Sequence, residues 1–269
     1  MNCIVHPGGL ELTKYAVDAC DLAKAAKILD IGCGHGDTAS FLRNDYGYSI
    51  TGIDNNAEAV KTAKERYSDL EFTEGDGQWL EYDSLSFDCV LMECVLSLMP
   101  NPVEALHEAY CTLKKGGYLI VHDLYLPHPS AEDFEVLEQI KKSKKEHANK
   151  INAEESINRR TGECPSSCQN DGSECPDDCQ SMVMEAGAPC PDEVLSPCTI
   201  DSALILDDIF EALNELKLEK ILFEDRKTDL TNFTAATIFN GGSRNYYSDI
   251  RHGKTKISYF LLVAKKAEV

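Results

Sequence analysis

Basic residues are scarce in this chain, where 26 Lys and Arg stand against 46 Asp and Glu and leave a formal net charge of −20. A chain so acidic repels phosphate backbones and anionic lipid surfaces. The charge balance therefore excludes a duplex nucleic-acid binder, and no nucleic-acid partner is expected.

Long apolar runs are also missing. A membrane span needs roughly 18 consecutive apolar residues, whereas Asp88 and Glu93 interrupt the most hydrophobic stretch of this sequence, residues 87–99. Residues 1–7 carry neither a basic cluster nor an apolar run, so no signal peptide is expected. These absences predict a soluble, cytoplasmic protein without a membrane partner.

A third absence divides the chain. Residues 135–209 contain no Phe, Trp or Tyr, and residues 161–198 contain five Pro, eight Asp or Glu, and no Lys or Arg. Such a segment has little apolar surface to bury against the entropy that is lost on ordering. We therefore predict an insertion, residues 127–200, between two parts of one core, residues 1–126 and 201–269.

Short apolar runs alternate with amphipathic stretches in both parts of the core, as they do in α/β proteins. The pattern predicts strands at residues 27–31, 49–53, 70–73, 87–92, 118–121, 218–223 and 257–264. It predicts helices at residues 10–22, 37–47, 57–67, 103–113, 131–149 and 204–216. The result is a seven-strand α/β domain that the insertion interrupts after the fifth strand.

The most specific motif is the run Asp30-Ile31-Gly32-Cys33-Gly34-His35-Gly36, which follows the first strand and opens a helix. Glycines permit a tight turn and let a ligand approach the outward-pointing backbone N–H groups. The third glycine comes one position earlier than in the dinucleotide-binding fingerprint. An acidic residue two places before the first glycine is more typical of a site for a ligand that carries a cation.

This run resembles motif I of the class I S-adenosylmethionine-dependent methyltransferases, and further runs resemble that family in the same order. These runs lie at residues 51–54, 74–77, 87–90, 99–102 and 113–119. The resemblance is close over residues 16–125 and looser over residues 201–263. It implies a methyltransferase with S-adenosylmethionine as cofactor and a Rossmann-like sheet, mostly parallel, with helices on both faces and an antiparallel last strand.

The resemblance also assigns residues to the cofactor. At the methionine end, Gly32 and Gly34 are expected to lie against the methionyl group, and Asp30 near its ammonium. Glu93 is expected below that group, where it offers mainly its backbone carbonyl.

At the adenosine end, the resemblance gives Asp54 the ribose hydroxyls, because its two acceptor oxygens suit a vicinal diol. Asn55 is expected at the edge of the adenosine. Asp76 and the amide of Gly77 are expected to bind the adenine.

Methyl transfer from a sulfonium is an in-line displacement, in which the protein mainly places the nucleophile about 3–3.5 Å from the methyl carbon and removes its water. The pocket rim is expected from residues 93–94, from residues 122–125 and from the N-terminal segment around His6 and Tyr15. His122 is the candidate base because imidazole titrates near neutral pH, and Asp123 stands beside it. The alternative is that His122 or Asp123 completes a buried strand with a hydrogen bond.

The acceptor is expected to be a small molecule. The sequence after the fourth strand reads Glu93-Cys94-Val95-Leu96, without the Asn/Asp-Pro-Pro-Tyr run of the enzymes that methylate exocyclic amines of DNA and protein glutamine. The excess of acidic residues also favours a small-molecule acceptor over a nucleic acid. A monomer and a homodimer are both compatible with the pattern.

Six of the twelve cysteines crowd into the insertion. Cys164, Cys168, Cys175 and Cys179 form two C-P-x-x-C units, which could surround one Zn²⁺ or an iron–sulfur cluster. Three interpretations stay open: a structural metal knot, a soft-ligand site that captures a thiophilic substrate such as arsenite, and a redox-active or metal-scavenging loop. Cys33, Cys89 and Cys111 are expected to be small packed residues.

A hypothesis from a different class also stays open. The chain could be a non-catalytic S-adenosylmethionine-binding regulator whose insertion senses a metal or the redox state. The complete set of cofactor motifs and the polar residues at the expected pocket rim argue against it.

Overall fold

The structure, a computed structural model, describes residues 6–135, 137–139, 142, 203–239, 251–252 and 255–268. Its helices are α1 (Gly9–Asp18), α2 (Asp37–Tyr46), α3 (Ala57–Arg66), α4 (Pro102–Thr112), α5 (Leu206–Glu215) and α6 (Lys227–Phe239). Its strands are β1 (Lys27–Ile31), β2 (Ser49–Asp54), β3 (Glu71–Glu74), β4 (Phe87–Glu93), β5 (Leu113–Tyr125), β6 (Leu218–Asp225), β7 (Arg251–His252), β8 (Thr255–Lys256) and β9 (Ser258–Lys266). Of the predicted helix at 131–149, residues 131–135, 137–139 and 142 are helical. The clustered cysteines of the insertion lie outside the described residues.

Seven strands form one sheet in the order β3-β2-β1-β4-β5-β9-β6. Strands β1 to β5 pair in parallel, and β9 runs antiparallel to both β5 and β6. The predicted sheet, mostly parallel with an antiparallel last strand, is confirmed. The strand order reverses between β1 and β4, so the carboxyl ends of these strands flank a crevice of the kind where α/β sheets bind ligands.

Helices cover both faces of the sheet. Apolar residues of α1, α2 and α3 pack on one face, and those of α4 and α5 pack on the other. Successive strand residues point to opposite faces, so Ile28 belongs to the first apolar layer and Leu29 to the second. Among the described residues, no helix combines the length and the apolar character that crossing a bilayer requires.

Two predicted elements had wrong boundaries. Helix α1 ends at Asp18 rather than at residue 22, because Cys20 and Leu22 already turn the chain toward β1 through local backbone hydrogen bonds. Strand β5 spans Leu113–Tyr125 and includes Gly116, where φ is +74°, whereas the predicted strand covers only residues 118–121. A register shift between β4 and β5 accommodates these extra residues.

Helix α6 and the short β7–β8 hairpin were not predicted. The apolar residues of α6 are spread around the helix without a stripe, so the hydrophobic pattern is uninformative there. The signal that was available is a start signal: Asp225 Oδ1 accepts from the Lys227 amide at 2.9 Å, and Asp229 stands in the first turn.

Candidate active site

The glycine loop after β1 is held by the end of β2. The amides of Gly32 and Cys33 both donate to the Ile53 carbonyl, at 2.7 and 3.1 Å. Gly32 and Gly34 have φ of +77° and +51°, in the left-handed region that favours glycine. A Cβ on Gly34 would meet nothing within 4 Å, so the backbone at this point faces open space where a ligand can approach it.

Asp54 lies beside this loop at the end of β2. Its Oδ2 accepts from the Gly34 amide at 2.9 Å, and its Oδ1 accepts from the Asn56 amide at 2.9 Å. A carboxylate oxygen has a second lone pair, so both oxygens can still accept a ligand hydroxyl. The neighbouring Asn55 is exposed.

Asp30 is the most unusual acidic residue of the crevice. It is only 2% exposed, and its Oδ2 has no hydrogen-bond partner among the described residues. Burial, together with the negative charges of Glu93 and Asp54, raises the pKa of Asp30 well above its usual range. A cationic ligand would satisfy this oxygen, which agrees with the ammonium contact that the family resemblance implies.

The loop after β3 reaches the same end of the sheet. The Gly75 amide donates to the Asp54 carbonyl at 2.9 Å. A Cβ on Gly77 would lie 2.6 Å from side-chain atoms of Ile31 and Met99, so only glycine fits there. Asp76 is exposed, and its Oδ1 accepts from the Gln78 amide at 2.9 Å. The loop after β3 is thus joined to Asp54, which in turn accepts from the glycine loop.

The Glu93 side chain is the centre of a buried polar network, a role that sequence reasoning missed. Its side chain is 6% exposed. Oε1 accepts from Thr13 Oγ1 and His122 Nε2, both at 2.6 Å, and Oε2 accepts from Thr38 Oγ1 at 2.7 Å. Oε2 also lies 3.4 Å from His6 Nε2. Burial alone would raise the pKa of Glu93, but His6 and His122 hold it well below its usual range.

His122 is completely buried in this network. Its Nδ1 lies 2.6 Å from the Tyr259 hydroxyl, which also contacts Cys94 Sγ at 3.0 Å. Burial lowers the pKa of His122 in spite of the neighbouring Glu93. His6, Glu93 and His122, which the sequence assigned to a pocket rim, contact one another in this buried network. Tyr15, assigned to the same rim, lies apart from them and donates to Glu224 at 2.8 Å on the surface.

Asp123 belongs to a different set of contacts. Its oxygens accept from the Ser97 amide at 2.9 Å, from Ser97 Oγ at 2.6 Å and from the Leu124 amide at 2.7 Å. Burial raises its pKa to about 6, against the opposing effect of the Ser97 hydrogen bonds. The carboxylate anchors the 3₁₀ turn at Leu96–Leu98 to β5.

Two other observations bear on the predicted residues. Cys33 and Cys89 are buried as expected, but Cys111 is exposed because it lies on the solvent side of α4.

A surface depression of about 350 Å³ between α3 and the end of β3 is lined by Ala57, Val60, Lys61, Lys64, Glu65 and Glu74. None of the predicted site residues lines it, so we do not assign it to the reaction.

Comparison with known proteins places the chain in a family. The sequence profile of the family described as "Methyltransferase domain" matches residues 22–182. The uncharacterized methyltransferase YodH of Bacillus subtilis is 32% identical over 139 residues, which are 49% of this chain and 59% of that protein. A fatty-acid O-methyltransferase of Mycolicibacterium smegmatis is 31% identical over 122 residues, 42% of this chain and 44% of its own. The chain therefore spans only about half the length of these relatives.

Solved structures confirm the fold. Phosphoethanolamine N-methyltransferase 2 of Haemonchus contortus, in complex with S-adenosyl-L-methionine, has a TM-score of 0.63 at 15% identity, over 99% of this chain and 54% of its own. The cyclase SpnF has a TM-score of 0.59 at 18% identity, over 96% of this chain and 81% of its own. The family profile matches more than half of the residues of this chain. The chain therefore belongs to the methyltransferase-domain family, the class I S-adenosylmethionine-dependent methyltransferases.

Proposed function

We propose that this chain transfers a methyl group from S-adenosylmethionine to a small-molecule acceptor. The observation that carries the proposal is the buried Asp30 carboxylate, whose free Oδ2 lies at the same crevice as the open backbone of Gly34 and the Asp54 carboxylate. The free oxygen of Asp30 matches an ammonium, and the open backbone of Gly34 matches a methionyl chain. The two acceptor oxygens of Asp54 match the two hydroxyls of a ribose. When bound, the cofactor supplies a methyl group on a sulfonium, which already has a good leaving group.

Each protein group then has a defined task. Asp30 binds the ammonium, and Gly32 and Gly34 let the methionyl chain lie against the backbone. Asp54 accepts from the ribose hydroxyls while the Gly34 and Asn56 amides hold it in place. Asn55, Asp76 and the Gly77 amide border the adenosine, in keeping with their position next to Asp54.

The contacts of His122 favour a positioning role over that of a general base. Its Nδ1 and Nε2 are both engaged, with Tyr259 and Glu93, and its side chain is fully buried. A base needs a nitrogen within hydrogen-bond reach of the acceptor proton. Asp123 is engaged in the same way with Ser97 and Leu124. The catalytic assignment of both residues therefore stays a prediction that these contacts do not favour.

An acceptor that is already anionic at neutral pH needs no base, so a carboxylate or a thiolate fits this site best. The fatty-acid O-methyltransferase among the relatives has a carboxylic-acid acceptor by its name. The net charge of −20 argues against polyanionic acceptors such as nucleic acid. The alternative of arsenite, captured by Cys164, Cys168, Cys175 and Cys179, depends on residues outside those described here.

The experiment is a scan of acceptors for release of S-adenosylhomocysteine by the full chain. Carboxylic acids, thiols, amines, alcohols and arsenite are tested separately. We expect release with a carboxylic acid or a thiol, an Asp54→Ala variant that releases none, and wild-type behaviour in an Asp45→Asn variant on the exposed side of α2. Release of S-adenosylhomocysteine only with an amine or an alcohol would contradict the proposal of an anionic acceptor. Binding of the cofactor without release of S-adenosylhomocysteine for any class of acceptor would favour the non-catalytic regulator.

A further inference from the structure

We propose that His6, Glu93 and His122 form a binding site for a divalent transition-metal ion, with Zn²⁺ as the reference ion. One potential ligand atom from each of the three side chains lies within 4.8 Å of the other two. His6 and His122 are buried and the Glu93 side chain is 6% exposed. Methyl transfer itself does not need a metal, so this proposal goes beyond the proposed function.

The orientation of His6 argues for a cation at this point. Its Nδ1 lies 3.1 Å from the Pro7 carbonyl, which can only accept, so Nδ1 carries the proton. In the neutral ring Nε2 then presents a lone pair, and it faces Glu93 Oε2 at 3.4 Å. Two acceptors that face each other in a buried site require either a second proton or a metal ion between them.

The surrounding contacts are those that orient metal ligands. Metal-binding imidazoles commonly use their second ring nitrogen to bond a carbonyl or another polar group, and ligating carboxylates are hydrogen-bonded in turn. His6 uses the Pro7 carbonyl and His122 uses the Tyr259 hydroxyl at 2.6 Å. The hydroxyls of Thr13 and Thr38 each bond one oxygen of Glu93, at 2.6 and 2.7 Å. Both Nε2 atoms are thereby directed at the same carboxylate, and a bound metal ion would take the place of the proton between His122 Nε2 and Glu93 Oε1.

The donor set defines the class of ion. Two imidazole nitrogens and one carboxylate suit Zn²⁺ and neighbouring transition metals, and they suit Mg²⁺ and Ca²⁺ poorly because those ions prefer oxygen. Three protein ligands leave a fourth position of a tetrahedral site for an exogenous oxygen or sulfur. Thr38, which bonds Glu93, stands in the first turn of α2 directly after the glycine loop. The fourth position is therefore near the expected methionine end of the cofactor site.

The test is a titration of the full chain with Co²⁺ in the absence of S-adenosylmethionine, so that it is independent of methyl transfer. Cobalt bound by nitrogen and oxygen gives visible d–d bands without the intense near-ultraviolet band of cobalt–thiolate bonds. This difference separates the proposed site from the cysteines of the insertion. A variant with Cys164, Cys168, Cys175 and Cys179 changed to Ser repeats the titration without those thiols.

We expect one Co²⁺ per chain with nitrogen and oxygen bands, in the wild type and in the cysteine variant, and competition by Zn²⁺. His6→Ala should lose these bands, Tyr259→Phe should weaken binding roughly 10–100-fold as an outer-shell change does, and His107→Ala, on the exposed face of α4, should bind as the wild type does. Circular dichroism confirms that each variant is folded.

Two results would overturn the proposal. One is the absence of nitrogen and oxygen bands in the wild type at saturating Co²⁺. The other is unchanged Co²⁺ affinity in folded His6→Ala and in folded Glu93→Gln, which would mean that a proton rather than a metal joins the three side chains. Either result leaves the cofactor site untouched, because the acceptor scan tests that site separately.

Discussion

Two carboxylates of the crevice illustrate how burial decides what an acidic residue does. Asp54 is half-buried and has two amide donors, so its charge is supported before any ligand arrives. Asp30 is buried with a free oxygen, and in that state the charged form is costly. The chain keeps Asp30 at the expense of stability, which is the pattern expected of a binding residue rather than of a core residue.

This contrast leads to a prediction for Asp30→Asn. Because asparagine is neutral, the substitution removes a buried group that would otherwise have to charge or take up a proton, and the melting temperature of the cofactor-free chain should rise. The same change removes the proposed partner of the cofactor ammonium, and affinity for S-adenosylmethionine should fall about 10–100-fold, as for a lost hydrogen bond to a charged group. Calorimetry and thermal melting measure the two effects; a fall in both would contradict the assignment.

The part of the site that is local in sequence could be predicted, and the part that depends on strand register could not. Gly32, Gly34 and Asp54 follow strands that the alternation of apolar runs predicted directly. The network around Glu93 needs Thr13 from α1, Thr38 from α2 and His122 from β5 to meet one side chain. Nothing in the local sequence around Glu93 specifies that meeting, because it depends on how β4 pairs with β5 and on where α1 lies.

At the scale of elements, the loop between β1 and α2 combines two glycines with different tasks. A Cβ on Gly32 would lie 2.5 Å from the Val95 side chain, whereas a Cβ on Gly34 would enter open space. Both have positive φ. Gly32 thus lets the loop pack against the segment after β4, and Gly34 keeps its outer side accessible.

Alanine at these two positions should separate stability from binding. Gly32→Ala combines backbone strain with overpacking, and we expect a loss of roughly 2–4 kcal/mol in the free energy of unfolding. Gly34→Ala adds strain alone, roughly 1–2 kcal/mol, but its methyl group occupies the approach to the backbone and should weaken S-adenosylmethionine binding more than about tenfold. Chemical denaturation measures the free energy of unfolding, and calorimetry measures cofactor affinity. A Gly34→Ala variant that binds the cofactor normally would contradict the proposal that the cofactor lies against the Gly34 backbone.

Predicted element boundaries failed where tertiary contacts override local signals. The predicted strand begins at residue 118, after two glycines, but pairing of Leu113 with Phe87 of β4 places the start of β5 at Leu113. Helix α6 has no apolar stripe, yet Leu230 packs in the first apolar layer and Phe233 is buried. In both cases the deciding contacts come from residues distant in sequence.

At the scale of the whole molecule, the six cysteines of the insertion accompany a core that already has two apolar layers. We expect that alanine at both Cys175 and Cys179 lowers the melting temperature if they hold a structural metal, because the metal supplies folding energy. Unchanged melting with lost turnover would instead indicate substrate capture. A Cys111→Ala variant, which removes an exposed thiol of α4, is the matched control and should change neither property.

The acidic balance of the whole chain, the α/β sheet and the crevice between β1 and β4 all support the proposed methyl transfer to a small molecule. The most direct test mixes the full chain with S-adenosylmethionine labelled in its methyl group and with the small-molecule fraction of a cell extract. We predict that the label moves to a low-molecular-weight compound with the wild type and stays in place with Asp54→Ala. Binding of the cofactor without any movement of the label would contradict it.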